Sequence, residues 1–159
     1  MFEDEYLKQM QREDEYYKRI EISYNLKRGH KAKKEKNTQL LNQIEEFRVK
    51  NNVHEPKCIS DRLLLYLRYG IDSFGLPWSQ DAMLNNSVMK LYGLVRGDMN
   101  YTNKNPLSVA SAILYISCII SGKKISQKDI SKIYSVAESV IRNYYKLIKN
   151  DFNIPGIDF

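Results

Sequence analysis

The stretch of sequence that most restricts the fold is PLSVASAILYISCII, residues 106–120. It carries no charged side chain, and apolar or small residues lie on every side of the helix that it predicts. A helix that is apolar all round must be covered by other elements. Asn105 can cap this helix, Pro106 suits its first turn, and Gly122 ends it. We therefore expect an all-helical domain built around one buried central helix.

Amphipathic patterns predict four more helices around this centre. The first, ISDRLLLYLRYGIDSF, starts near Ile59, and the second starts near Ser79. Ser126 can cap a short fourth helix, QKDISKIY, which a tight turn around residues 134–135 separates from the fifth. Ser135 and Glu138 fit an S-x-x-E capping box at the start of that fifth helix. Since no strand pattern is visible, the expected architecture is five helices around one hydrophobic centre.

Residues 1–57 are expected to form a helical, coiled-coil-like extension with little core of its own. Acidic residues dominate its start, and the basic run NLKRGHKAKKEK follows. Its apolar positions follow a heptad that Glu13 interrupts, and Gly29 is expected to break the helix. These apolar positions are Tyr6, Met10, Tyr17, Ile20 and Tyr24. Such a segment must pack on the domain (58–152), on a partner or on a second copy, and we expect a homodimer through residues 1–50. Residues 153–159 are read as a tail.

The charge distribution indicates a polyanionic partner such as double-stranded DNA. The net charge is +6, and basic residues concentrate at 27–36 and at 123–149. The candidate phosphate contacts of the first run are Lys27, Arg28, Lys31, Lys33 and Lys34. The alternative is that both runs are ordinary solvated surface. No stretch is long and apolar enough for a membrane span.

The final predicted helix has one polar, basic side and one apolar side. Ile141, Tyr145 and Ile148 form the apolar side. The polar side consists of Ser139, Arg142, Asn143, Lys146 and Lys149. A short helix, a tight turn and such a helix have the outline of a helix-turn-helix at 127–150, whose second helix enters the major groove. Arg can then pair with guanine, and Asn can pair with adenine. The lysines, which include Lys124 and Lys128, can bind phosphate. The alternative is a solvated helix that happens to be basic.

The run NPLSVASAILYISCIISGKKISQKDISKIYSVAESVIRNYYKLI closely resembles the C-terminal cyclin-like repeat of archaeal transcription factor B and eukaryotic transcription factor IIB. The resemblance covers about residues 59–152, and SVAESVIRNYY is its most specific part. It implies a five-helix cyclin fold whose last two helices contact DNA upstream of the TATA box. It also implies base-facing positions at Ser139 and Arg142. Arg142 agrees with the family, whereas Ser139 replaces a commonly apolar residue.

The departures from that family shape the functional hypothesis. Neither the cysteines of the family's zinc ribbon nor a second repeat is visible, so we interpret the chain as a derived regulator, archaeal or viral. It is expected to bind DNA and TATA-binding protein or RNA polymerase, in the cytoplasm, or in the nucleus if eukaryotic. The alternative is a protein-interaction module that binds such a partner without reading DNA sequence.

Several isolated residues could in principle form further sites. No nucleophile–base pair or phosphate-binding glycine loop is visible, so no enzymatic activity and no cofactor are expected. His54 and Cys58 lie four residues apart without further ligands, so no metal site is expected. Trp78 is expected to pack on the core rather than to anchor a partner. The tyrosines near the N-terminus are expected to pack between helices rather than to stack on bases.

Overall fold

The computed structural model describes the backbone of residues 2–154 and, within these, all side chains except those of residues 2, 17 and 20–35. The described residues contain helices and no strand. The α-helices are α1 (Phe2–Lys50), α2 (Ile59–Ser73), α3 (Ala82–Arg96), α4 (Pro106–Ile120), α5 (Gln127–Tyr134) and α6 (Glu138–Phe152), and short 3₁₀ helices span Trp78–Gln80 and Met99–Tyr101. The chain divides into two compact units, Met1–Gln39 and Leu40–Phe159.

Helix α4 is the centre of the larger unit, as the sequence predicted. Every residue from Ser108 to Cys118 is buried, and α2, α3, α5 and α6 all pack against α4. At its start, the side-chain oxygen of Asn105 accepts a hydrogen bond from the Leu107 N–H at 3.0 Å. At its end, Gly122 adopts a left-handed conformation with φ of +72°. The four surrounding helices therefore all depend on one apolar helix for their packing.

Helices α2 and α5 approach each other closely at a glycine. The Tyr134 hydroxyl is buried and donates a hydrogen bond to the Tyr66 carbonyl at 2.6 Å. A Cβ atom at Gly70 would lie 2.8 Å from Tyr134 Cζ and 2.7 Å from Leu114 Cδ2. Only glycine leaves room for the tyrosine ring there. Complete burial raises the pKa of Tyr134 well above its ordinary value, so this hydroxyl remains a donor.

The last turns of α1 belong to the larger unit. Leu40 and Ile44 are buried together with Leu65 of α2. Arg48 donates a hydrogen bond from Nη1 to the Val53 carbonyl at 3.0 Å, which fixes the loop after α1. The compact unit thus includes residues 40–57, which the sequence assigned to the N-terminal extension.

The first part of α1 differs from the prediction in one respect. The helix includes Gly29, where the sequence predicted a break. The side chains of Tyr6 and Met10 are exposed. The other predicted heptad positions, Tyr17, Ile20 and Tyr24, have side chains outside the described residues, so a coiled coil remains a prediction.

Two predicted helix starts are also corrected. Helix α3 begins at Ala82 rather than near Ser79, because Asp81 Oδ1 accepts a hydrogen bond from the Leu84 N–H at 2.9 Å and caps it there. The capping box predicted between Ser135 and Glu138 is wrong. Ser135 lies in the left-handed region, with φ of +51°, and a residue that caps a helix start needs an extended backbone.

The capping box lies one helix earlier, at the start of α5. The Asp129 N–H donates to Ser126 Oγ at 3.1 Å, and the Ser126 N–H donates to Asp129 Oδ2 at 3.1 Å. Ala137 precedes α6 without a side-chain cap. The S-x-x-D pattern at 126–129 therefore stabilises a helix start, whereas the S-x-x-E pattern at 135–138 does not.

Candidate nucleic-acid interface

The orientation of α6 is the one that the sequence predicted. Ile141 and Ile148 are fully buried, and Tyr145 is 3% exposed. The helix packs against α4 and α5 through this side. On the other side, the exposed residues are Ser139, Arg142, Asn143 and Lys146, and Lys149 is half-buried. The polar side chains of α6 therefore face away from the core.

A short turn connects α5 to α6. Helix α5 ends at Tyr134 and α6 begins at Glu138, which leaves residues 135–137 between them. The left-handed backbone of Ser135 reverses the chain, and Val136 is partly buried against the core. Two helices packed together across a turn of this length have the outline of a helix-turn-helix. In this outline α6 is the second of the two helices.

Contacts with the loop before α4 fix the C-terminal half of α6. The Tyr101 hydroxyl donates a hydrogen bond to Asp151 Oδ2 at 2.7 Å, and its ring stacks on Phe152 with the centroids 5.9 Å apart. Burial, and then the Asp151 carboxylate, raise the pKa of Tyr101, so the hydroxyl stays protonated. Lys104 Nζ lies 6.0 Å from the centre of the Tyr144 ring. These contacts restrict the rotation of α6 about its axis, and no pattern in the sequence indicates them.

The charges of α6 are unevenly placed. Glu138 lies in the first turn, where a carboxylate is favourable beside the helix N-terminus. The Asp151 carboxylate is engaged by Tyr101. No described residue forms a salt bridge with Arg142 or Lys146. The guanidinium of Arg142, the ammonium of Lys146 and the amide of Asn143 thus lie on the exposed side of α6.

The predicted basic residues outside α6 fall into two groups. Lys124 and Lys128, before and within α5, are exposed. Their neighbour Lys123 instead binds Asp81 Oδ2 at 2.8 Å and lies 5.6 Å from the centre of the Trp78 ring. The side chains of the first basic run, Lys27, Arg28, Lys31, Lys33 and Lys34, lie outside the described residues. Their role as phosphate contacts remains a prediction.

The other predicted features are placed as follows. Trp78 is partly buried and packs edge-on against Phe74, itself packed on the core, with the ring centroids 5.3 Å apart. The part of the chain that the structure describes has no group of three or more His, Cys, Asp or Glu side chains arranged to hold a metal ion. Among the described helices, none is both long and apolar enough to cross a membrane.

The arrangement of α2–α6 is all-helical, as in a cyclin-like repeat, with the central helix enclosed by its neighbours. Residues 80–151 match the family described as "Transcription factor TFIIB repeat". The match begins just before α3 and includes all but the last residue of α6. The resemblance of this part of the chain to a repeat of transcription factor B and transcription factor IIB is thereby confirmed.

Individual relatives come from archaea. The chain is 32% identical over 66 residues to "Transcription initiation factor IIB" of Ignicoccus hospitalis, and the aligned stretch covers 42% of this chain and 21% of the relative. It is 42% identical over 53 residues to "Transcription initiation factor IIB 2" of Thermoplasma acidophilum, covering 33% of this chain and 17% of the relative. It is 47% identical over 45 residues to "Transcription initiation factor IIB" of Methanopyrus kandleri, covering 28% of this chain and 15% of the relative. The matched part spans about a fifth or less of the length of these relatives. The chain is therefore related to transcription factors through one repeat.

Proposed function

We propose that this protein is a DNA-binding transcription regulator that reads duplex DNA through α6. The observation that carries the proposal is the presence, within a TFIIB-type repeat, of a helix with Arg142 and Asn143 exposed and its opposite face buried. Arg142 has the donors to pair with the O6 and N7 atoms of guanine, and Asn143 has the groups to pair with adenine. Ser139 lies one turn before them, within reach of a base edge.

The lysines supply the electrostatic part of this binding. Lys146 and Lys149 lie further along α6, where a helix leaving the major groove passes the phosphate backbone. Lys124 and Lys128 add positive charge before and within α5. Phosphate contacts of this kind position the protein and carry no sequence information. In this proposal the lysines provide affinity for duplex DNA, and α6 provides the sequence preference.

Partners and self-association complete the proposal. The relatives are named transcription initiation factors, which favours a role beside TATA-binding protein or RNA polymerase at a promoter. A single recognition helix makes few base contacts, and such proteins usually bind as dimers on two half-sites. Tyr6 and Met10 are 64% and 50% exposed, so residues 1–50 offer apolar side chains for a homodimer.

The test is selection of binding sites from random duplex DNA, with and without TATA-binding protein, followed by titrations with three variants. Arg142→Ala should weaken binding to the selected site by about 1–3 kcal/mol and relax the preference at one base pair. Lys146→Ala should weaken all sequences alike and lower the slope of log K against log salt by about one unit. Lys90→Ala, an exposed lysine of α3, serves as the control and should bind like the parent protein.

Two outcomes would contradict direct reading by α6. If Arg142→Ala and Lys146→Ala weaken every sequence equally, the binding is purely electrostatic. If no sequence is enriched and the protein is captured only by TATA-binding protein or polymerase, the repeat is a protein-interaction module. A selected motif that neighbours a TATA-like sequence would support the proposal directly.

A further inference from the structure

A groove of about 400 Å³ lies between the α2–α3 connection and α5. Its apolar lining consists of Phe74, Leu76, Pro77, Trp78, Ile125 and Ile133. Leu76 is 72% exposed, although it is a large aliphatic residue beside a tryptophan. An apolar concave surface of this kind is typical of a site that receives side chains from a partner.

The rim of the groove is basic. Lys124 and Lys132 line it and are both exposed, and no described residue forms a salt bridge with either. Asp129 also lines it, but its carboxylate accepts hydrogen bonds from the Ser126 hydroxyl and N–H, which lower the pKa of Asp129. That carboxylate caps α5 and also interacts electrostatically with Lys132, and the two lysines leave the rim with a net positive charge. The groove therefore fits an acidic segment that carries large apolar side chains.

The start of α1 has this composition. Residues 2–16 contain six acidic and two basic side chains. Glu3, Leu7, Met10 and Asp14 follow the i, i+4, i+7, i+11 spacing, which places them on one face of the helix. Leu7 and Met10 are 57% and 50% exposed. Two apolar side chains thus lie between two carboxylates, as the groove requires.

We propose that residues 3–14 of a second copy of this chain dock in the groove. Leu7 and Met10 lie against its apolar floor, and Glu3 and Asp14 pair with Lys124 and Lys132 of the other copy. The inference rests on the proposed self-association through residues 1–50 and names the surface that it uses. It differs from the pairing of two α1 helices with each other, since here one face of α1 meets the larger unit (Leu40–Phe159) of the other copy.

The chain provides its own reporter for this contact. Trp78 is the single tryptophan of the sequence, and it lines the groove. The full-length protein is first examined by sedimentation equilibrium over a micromolar range, at low salt and without DNA. A synthetic peptide of residues 1–16 is then titrated into the full-length protein while the Trp78 emission is recorded. A saturable spectral shift is expected, and a peptide of the same composition in scrambled order should give none.

Charge reversal tests the specificity of the pairing. Lys124→Glu with Lys132→Glu should raise the dissociation constant of the dimer about tenfold or more, because each reversal replaces attraction by repulsion. Glu3→Lys with Asp14→Lys should have the same effect. An equimolar mixture of these two double variants should recover association, because both contacts of a mixed pair then join opposite charges. Lys90→Glu, a single charge reversal at a lysine that does not line the groove, should leave the dissociation constant unchanged.

The outcomes separate this inference from the proposals on which it rests. A dimer that persists in both reversed variants would overturn groove docking and leave the pairing of two α1 helices as the mode of self-association. A parent protein that stays monomeric would overturn both. Neither result bears on DNA reading, which is measured through the Arg142 variant. Recovery in the mixture, together with the Trp78 shift, would establish the docking.

Discussion

The substitution Gly70→Ala provides a direct test of how α5 is seated on α2. A methyl group at this position would lie 2.7 Å from Leu114 Cδ2 and 2.8 Å from Tyr134 Cζ, and still closer to the Tyr134 hydroxyl oxygen. Both neighbours are fully buried. Tyr134 cannot withdraw without losing its hydrogen bond to the Tyr66 carbonyl. The added carbon must therefore displace α5 or open the core.

The expected magnitude follows from three contributions. Alanine is favoured over glycine in a helix by about 1 kcal/mol. Overpacking of a close-packed core costs about 1–3 kcal/mol, and loss of the tyrosine hydrogen bond costs about 1 kcal/mol more. The net effect of Gly70→Ala is then a loss of about 1–3 kcal/mol, which lowers Tm by about 3–9 °C for a chain of this length.

Gly93→Ala is the matched control, because it is the same change in the neighbouring helix α3. No atom lies within 4 Å of a Cβ added at Gly93, so only the helix preference acts there. That variant should gain up to about 1 kcal/mol. Thermal unfolding followed by circular dichroism measures both. The reasoning is refuted if Gly70→Ala is as stable as Gly93→Ala.

Three further predictions follow from the buried side chains. Ile141→Ala should lower the free energy of unfolding by about 2–5 kcal/mol in urea titrations, whereas Arg142→Ala should leave it unchanged, because only Ile141 is buried. Tyr101→Phe should cost about 1 kcal/mol in the same assay, since it removes the hydrogen bond to Asp151. Burial raises the pKa of the Cys118 thiol from 9.0 to about 12, so its contribution to stability is complete below pH 9 and is lost as the pH rises toward 12. Cys118→Ala should therefore show a shallower decline in the urea midpoint between about pH 8 and about pH 11 than the parent protein.

Much of the helical unit could be predicted because its patterns are local. The apolar run of α4 requires enclosure, and its cap, first proline and terminal glycine mark both of its ends. The inward and outward faces of α6 followed from the spacing of Ile141, Tyr145 and Ile148 alone. In each case the signal lies within one helix, where periodicity reports which side is buried.

The features that were missed depend on residues far apart in the sequence or on backbone conformation. Tyr101 and Asp151 are separated by 50 positions, and Tyr134 and the Tyr66 carbonyl by 68. Periodicity within a helix contains no information on such pairs. The capping box was misplaced because S-x-x-E and S-x-x-D look equally suitable as letters, whereas the left-handed backbone of Ser135 excludes the former.

The enclosure of α4 has a consequence for how the protein is made. During synthesis this helix is completed before α5 and α6, and those two helices supply Ile130, Tyr134, Ile141 and Tyr145 to its cover. A nascent chain that ends before residue 127 therefore exposes an apolar helix, which attracts chaperones or aggregates. The helix proposed to read DNA also closes the core. Deleting it would remove the folded protein together with its binding surface, so a folded variant that does not bind DNA must be made by substitution on the outer face of α6.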